Sequence, residues 1–269
     1  MNRRSFLASS AAASTFALGN PQSDLRGSET SADSAGREYY VLRRYQLSMG
    51  PQEKLTDDFL KGALVPSLNR LGIKPVGVFH SDIGPESPSF YVLIPSASLE
   101  TLANVDFLLE RDANYLQAGA PFLNAPATAP AYIRAQSSLM KAFEGFPKLV
   151  LPAATAARTS RVFELRIYES PSDAAHRRKV EMFNQGEFDI FQEAGFWQVF
   201  YGDTLVGPKM PNLTYMIGFP DLTERNKMWQ AFGSSAAWKK LSTDPRYSYE
   251  EIVSSITNIV LSPTAYSQI

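Results

Sequence analysis

The segment YYVLRRY, Tyr39 to Tyr45, returns 123 residues later as VFELRIY, Val162 to Tyr168. A single short match carries little, but the order of elements after it repeats too. Each copy is followed by a helical pattern, Pro51 to Leu71 and Ser172 to Ala194, closed by Gly72 and Gly195 at helix-stop positions. A β-rich run comes next, KPVGVFH against FWQVFYG, and then a turn-rich loop, SDIGPESPS against DTLVGPKMPN. A third strand follows, FYVLIP against LTYMIGFP. A second helix opens near Ser98 and near Asp221, and a last strand lies in AYIRAQSS and in IVSSITNIVL. Each half therefore reads β-α-β-β-α-β, the ferredoxin-like split unit of one antiparallel sheet with helices on one face. The bare sheet face of such a unit must be covered. Two units in one chain can cover each other by closing an eight-stranded barrel, and barrels of about that size can hold one small ligand. The expected class is α+β, with two tandem ferredoxin-like units packed as a barrel.

The first unit is expected over residues 38–145 and the second over 161–269. The stretch 146–160, rich in Pro, Ala and Thr, reads as a linker. Residues 1–19, MNRRSFLASSAAASTFALG, have a basic start and a short Ala-rich apolar run, the form of an export signal too short to span a membrane. Arg3 and Arg4 before Ser5, Phe6 and Leu7 resemble a twin-arginine signal, so a periplasmic or extracellular destination is expected. Residues 20–37 are small and polar and read as a tether. No stable membrane insertion is expected once the signal is removed.

Absent residues narrow the chemistry. The chain has no cysteine, which removes disulfides, iron–sulfur clusters and thiol catalysis. It has two histidines, His80 and His176, neither in a local pattern that demands a haem or a transition metal, so no metal and no cofactor is expected. The 26 basic and 27 acidic side chains balance without a basic stripe, which gives nucleic-acid binding no support. Serine-hydrolase elbows, phosphate loops and zincin motifs do not occur.

In VFELRIY, strand alternation puts Phe163, Leu165 and Ile167 on one face and Glu164, Arg166 and Tyr168 on the other. With the apolar face under the helices, the Glu–Arg–Tyr face would line the barrel. Arg166 could bind a carboxylate or enolate, Tyr168 could donate to an oxyanion, and Glu164 could act as a base if burial raised its pKa. These three are the candidate catalytic residues; cross-strand pairing that merely fills the interior is the alternative. The first copy offers Val41, Arg43 and Tyr45, so the acid is present in one half only. Arg43 and Tyr45 are then candidate ligand contacts on a completing wall. Arg44 replaces Ile167, which suggests a poorly buried helix-facing edge of the first sheet. His176 and Glu187 share a helical face and join the candidate ligand-binding set, Glu187 as a partner for Lys209 or Arg166. Lys209 and Asn212, in the stiff loop LVGPKMPNLTYM, complete it as a cation and a polar group at a cavity mouth. Arg177, Arg178 and Lys179 read as a solvated face, and Tyr215 and Trp229 as core.

The second half, with FELRIYESPS, VFYGDTLVGPKMPNLTYMIGF and the ending ITNIVLSPTAYSQI, resembles the NIPSNAP family of the dimeric α+β barrel superfamily, and the first half a divergent copy of the same domain. The resemblance implies a barrel with a usable cavity, in a superfamily that includes small monooxygenases, haem enzymes and isomerases. Two functions stay open: a small-molecule binder using the lumen, with cofactor-free oxygenase or isomerase chemistry as its enzymatic form, and an interaction module with a filled barrel. Monomer and homo-oligomer are both open.

Overall fold

The computed structural model describes residues 36–85 and 87–269. The signal expected over 1–19, and the tether up to residue 35, lie outside the described residues. Eight strands appear in chain order: β1 Tyr39–Gln46, β2 Gly77–Ile83, β3 Ser89–Ser96, β4 Arg134–Ala142, β5 Val162–Glu169, β6 Trp197–Val206, β7 Asn212–Phe219 and β8 Ser255–Pro263. The helices of the first half are α1 Pro51–Phe59, α2 Val65–Arg70, α3 Leu99–Ala103, α4 Val105–Leu109 and α5 Ala113–Leu123. A short helix α6, Ala153–Ala157, lies between the halves. The second half carries α7 Asp173–Met182, α8 Phe188–Glu193, α9 Leu222–Ser234, α10 Ala236–Ser242 and α11 Tyr249–Ile252. Among the described residues no helix is long and apolar enough to cross a membrane.

The strands close into one barrel in the order β1-β3-β2-β8-β5-β7-β6-β4, with every pairing antiparallel. Each half contributes its own four-stranded ferredoxin-like sheet, β4-β1-β3-β2 and β8-β5-β7-β6. The seams are β2 with β8 and β4 with β6. At the second seam Gly202 lets Met140 approach, since a Cβ there would stand 2.9 Å from the Met140 Cβ.

The first and third strands of the two halves repeat in register: Arg43 pairs with Val92 and Arg166 with Tyr215, each residue of the second pair lying 123 after its counterpart. Both first helices also widen into one π turn at matching places, Leu60–Leu64 and Phe183–Glu187. Both then stop on a Schellman motif. Gly72 (φ 78°) and Gly195 (φ 89°) take the left-handed region, and the Ile73 and Phe196 amides donate back to Leu68 and Phe191. The second helices start on Ser98 and Asp221, whose side chains accept from the amides of Thr101 and of Thr223 and Glu224.

Three cores result. One lies between sheet and helices in each half. The third fills the barrel, where Tyr40, Leu42, Phe79, Met140, Phe163, Leu165, Phe200 and Met216 meet. Ile269 packs into this lumen against the Gly77 backbone.

The lumen corrects the orientation expected for β5. Phe163 and Leu165 point into the barrel, and Glu164, Arg166 and Tyr168 point under the helices. A lumen ringed by eight strands offers side chains no water and few partners, so the wholly apolar face goes there. The helix layer can supply polar groups, so the mixed face goes outward. Arg44 is corrected likewise: it alternates with Arg43 and turns inward, at the barrel mouth. The segment after β4 is more than a connector, because Phe143 and Phe146 pack on Phe188 and Tyr201 of the second half.

Candidate functional site

In the second half a polar network is sealed between sheet and helices. Arg166, rising from β5, donates from Nη1 to Glu164 Oε1 at 2.6 Å and from Nε and Nη2 to the Tyr168 hydroxyl at 3.1 and 2.9 Å. Tyr168 shares a hydrogen bond of 3.0 Å with Tyr215. From α9, Arg225 Nε and Trp229 Nε1 donate to Glu164 Oε2 at 2.6 and 3.0 Å, and the Arg166 guanidinium lies over the Trp229 ring. Burial pushes the Glu164 carboxyl up, but Arg225, Arg166 and Trp229 together hold it below the usual carboxylate range. Burial pushes Tyr168 up to about 12. Glu164 is thus an ionised anchor for two guanidinium groups.

Beside this network lies a second buried pair. Lys179 Nζ donates to Glu187 Oε2 at 2.7 Å, with both side chains almost wholly enclosed. Burial lowers the Lys179 pKa and raises that of Glu187. Lys179 was expected on a solvated face and is corrected: it sits over the Phe183 ring inside the core. Glu187, expected to pair with Lys209 or Arg166, pairs with Lys179 instead. The two are eight residues apart and meet because the helix kinks between them at Gly186, whose φ of 144° is not helical. A regular helix projected from sequence could not show this.

The remaining candidates are dispersed. His176 pairs through Nε2 with Asp203 Oδ1 at 2.7 Å and joins neither network. Asn212 is a loop anchor: its Oδ1 accepts from Thr204 and its Nδ2 donates to the Pro208 carbonyl. Lys209 reaches Glu169 Oε1 at 3.3 Å and Thr257 Oγ1 at 3.1 Å at the barrel mouth. No cluster of three or more His, Asp or Glu that could hold a metal occurs among the described residues.

The first half keeps only Arg43 and Tyr45 of the sealed network. Where the second half has Glu164, Lys179, Glu187, Tyr201 and Tyr215, the first has Val41, Thr56, Leu64, Val78 and Val92. A cleft of about 540 Å³ opens beside Arg43 and Tyr45. Five aromatic rings line it: Tyr45, Phe59, Tyr115, Phe122 and Tyr132. Phe59 and Phe122 stack at 4.0 Å, and Tyr45 meets Phe122 edge-on at 5.6 Å. Arg43 Nη2 donates to both Asp106 oxygens at 3.0 Å, with Asp106 largely exposed and Arg43 nearly buried. Burial pushes Tyr115 up to about 12. Asp106 and the rings of Tyr115, Phe122 and Tyr132 were not singled out in the sequence, because they come from helices and a loop with no motif of their own.

Residues 163–268 match the NIPSNAP family model. The first half lies outside that match, so the matched half is the one with the sealed network. No curated protein matches the chain. Among solved structures, the fold is shared with a monooxygenase-like protein from Fusobacterium nucleatum at 9% identity and TM-score 0.56, over 84% of this chain and 92% of that one. A monooxygenase-like protein from Lactobacillus acidophilus gives 8% identity and TM-score 0.54, over 84% and 94%. A NIPSNAP-like domain protein from Burkholderia xenovorans is 20% identical over 40% of this chain and 88% of its own, with TM-score 0.36.

Proposed function

We propose that the chain binds a small planar aromatic alcohol or ketone in the cleft of the first half. The cleft carries the reading: five rings surround a volume of about 540 Å³ with one polar pair, Arg43 and Asp106, on its wall. Rings give area to a flat apolar molecule. The Arg43–Asp106 pair presents a donor beside an acceptor, which suits a hydroxyl or carbonyl better than a free charge. The sealed network of the matched half is the structural counterpart. Its Glu164 accepts three bonds and is held ionised, which suits an anchor more than a base. The reading is therefore one of binding. The packed lumen favours the other reading, an interaction module, and the same experiment separates the two.

The probe is 2-naphthol, titrated calorimetrically into the folded protein. Saturable binding is expected, weakened about tenfold or more by Arg43→Met. Tyr132→Ala, at the exposed rim, is expected to weaken it several-fold with an unchanged unfolding midpoint. Absence of saturable binding, or equal affinity in both variants, would leave the interaction module.

We also propose export through the Arg3–Arg4 signal. An Arg3→Lys, Arg4→Lys chain is expected to stay in the cytoplasm when fractions are compared, and its normal export would refute this route.

A further inference from the structure

We infer that the open mouth of the barrel is a second binding site, for a small organic anion with an apolar tail. The mouth holds a recess of about 320 Å³, within the range of small-molecule sites. It is separate from the cleft, because Arg43 and Arg44 alternate on β1 and point to opposite faces of the sheet.

The walls of the recess break the two-fold repeat in one direction. On the β1–β4 wall stand Arg44 and Gln136, cross-strand partners whose side chains are joined by a bond of 2.8 Å from Arg44 Nη2. On the opposite wall the counterpart of Arg44 is Ile167, whose cross-strand partner is Thr257, and Ile259 stands where the first wall has Ser138. One wall thus carries a cation, an amide and a hydroxyl, and the other two isoleucines beside the Thr257 hydroxyl, with Leu42 continuing the apolar surface inward. That division matches a molecule with a charged head and a hydrocarbon body. At the rim Lys209 adds a second cation, bonded to Glu169 and Thr257. Its backbone lies at φ 63°, in the left-handed region that residues other than glycine seldom occupy. The loop therefore keeps a lysine where glycine would be easier, as strained residues at binding sites do. A carboxylate bound in this recess would draw on the charge-assisted bonds that Arg44 and Lys209, which both line it, can offer.

Octanoate is the probe, titrated into the folded protein and followed by calorimetry. Saturable binding is expected, weakened about tenfold or more by Arg44→Met. Lys209→Gly is expected to weaken it by a few-fold while leaving the unfolding midpoint equal or higher, since glycine suits φ 63°. This second variant carries the test if Arg44→Met folds poorly. Arg43→Met, in the cleft, is expected to leave octanoate affinity unchanged. The inference is overturned by no saturation at millimolar octanoate, or by full affinity in both Arg44→Met and Lys209→Gly. Loss of binding in Arg43→Met alone also overturns it, because it would put octanoate in the cleft.

Discussion

Glu187→Leu is expected to destabilise the folded chain by about 3–5 kcal/mol, because it leaves the Lys179 ammonium buried without its partner. The double variant Lys179→Met, Glu187→Leu is expected to return to native stability or exceed it by about 1–4 kcal/mol. The protein holds the precedent for the second result. At the matching positions of the first half stand Thr56 and Leu64, both fully buried, and that half folds around the same π turn. Burial raises the Glu187 pKa and lowers that of Lys179, so each charge is harder to hold folded than unfolded. For Glu187, stability present below the ordinary value of 4.5 is lost as pH rises through the raised folded pKa. For Lys179, stability present above the ordinary 10.5 is lost as pH falls through the lowered one. The advantage of the double variant should therefore grow as pH rises from 4.5 and shrink again toward 10.5. Urea denaturation of the three proteins across pH checks both claims. A single variant as stable as the double would show that the ammonium finds water, and the account of a sealed pair would fail.

Phe163→Ala is expected to cost about 3–5 kcal/mol. Phe163 is fully buried in the lumen, meets the Phe79 ring edge-on at 5.1 Å, and packs on the Gly218 backbone. Eight hydrogen-bonded strands cannot collapse onto the space it leaves, so the transfer and cavity terms add. The cavity would be apolar and dry, open to benzene or xenon. Denaturation gives the cost, and xenon or benzene binding by the variant shows the cavity. A loss below about 1 kcal/mol would mean that the lumen is loosely filled, contrary to the packing described.

Much of the architecture was legible because it rests on local chemistry. Leu-Arg-x-Tyr marked both first strands, Gly72 and Gly195 both helix ends, Ser98 and Asp221 both second-helix starts. These residues act through backbone geometry and their nearest amides, so their meaning survives without knowledge of the fold. The site was legible only as a set of names. Glu164, Arg166 and Tyr168 do come together, and so do Arg43 and Tyr45, since strand alternation alone puts each group on one face. Lys179, read as solvated, is buried because it shares the inward face of its helix with Ala175, Met182 and Phe183. Asp106 reaches Arg43, and Tyr115 and Tyr132 line the same cleft, from segments that carry no motif of their own.

The sequence by itself determined that there are two β-α-β-β-α-β halves, where they begin, and that only the second carries an acid beside the Arg-x-Tyr pair. It could not determine which face of VFELRIY looks inward. Alternation has period two and is blind to direction, and a barrel of two such units has an apolar layer on both sides of each sheet. Only the tertiary structure decided between them. The lumen beyond its mouth is closed by strands and filled with apolar side chains, whereas the helix layer brings Arg225 and Trp229 to Glu164. The mixed face therefore lies under the helices, and the apolar face fills the barrel.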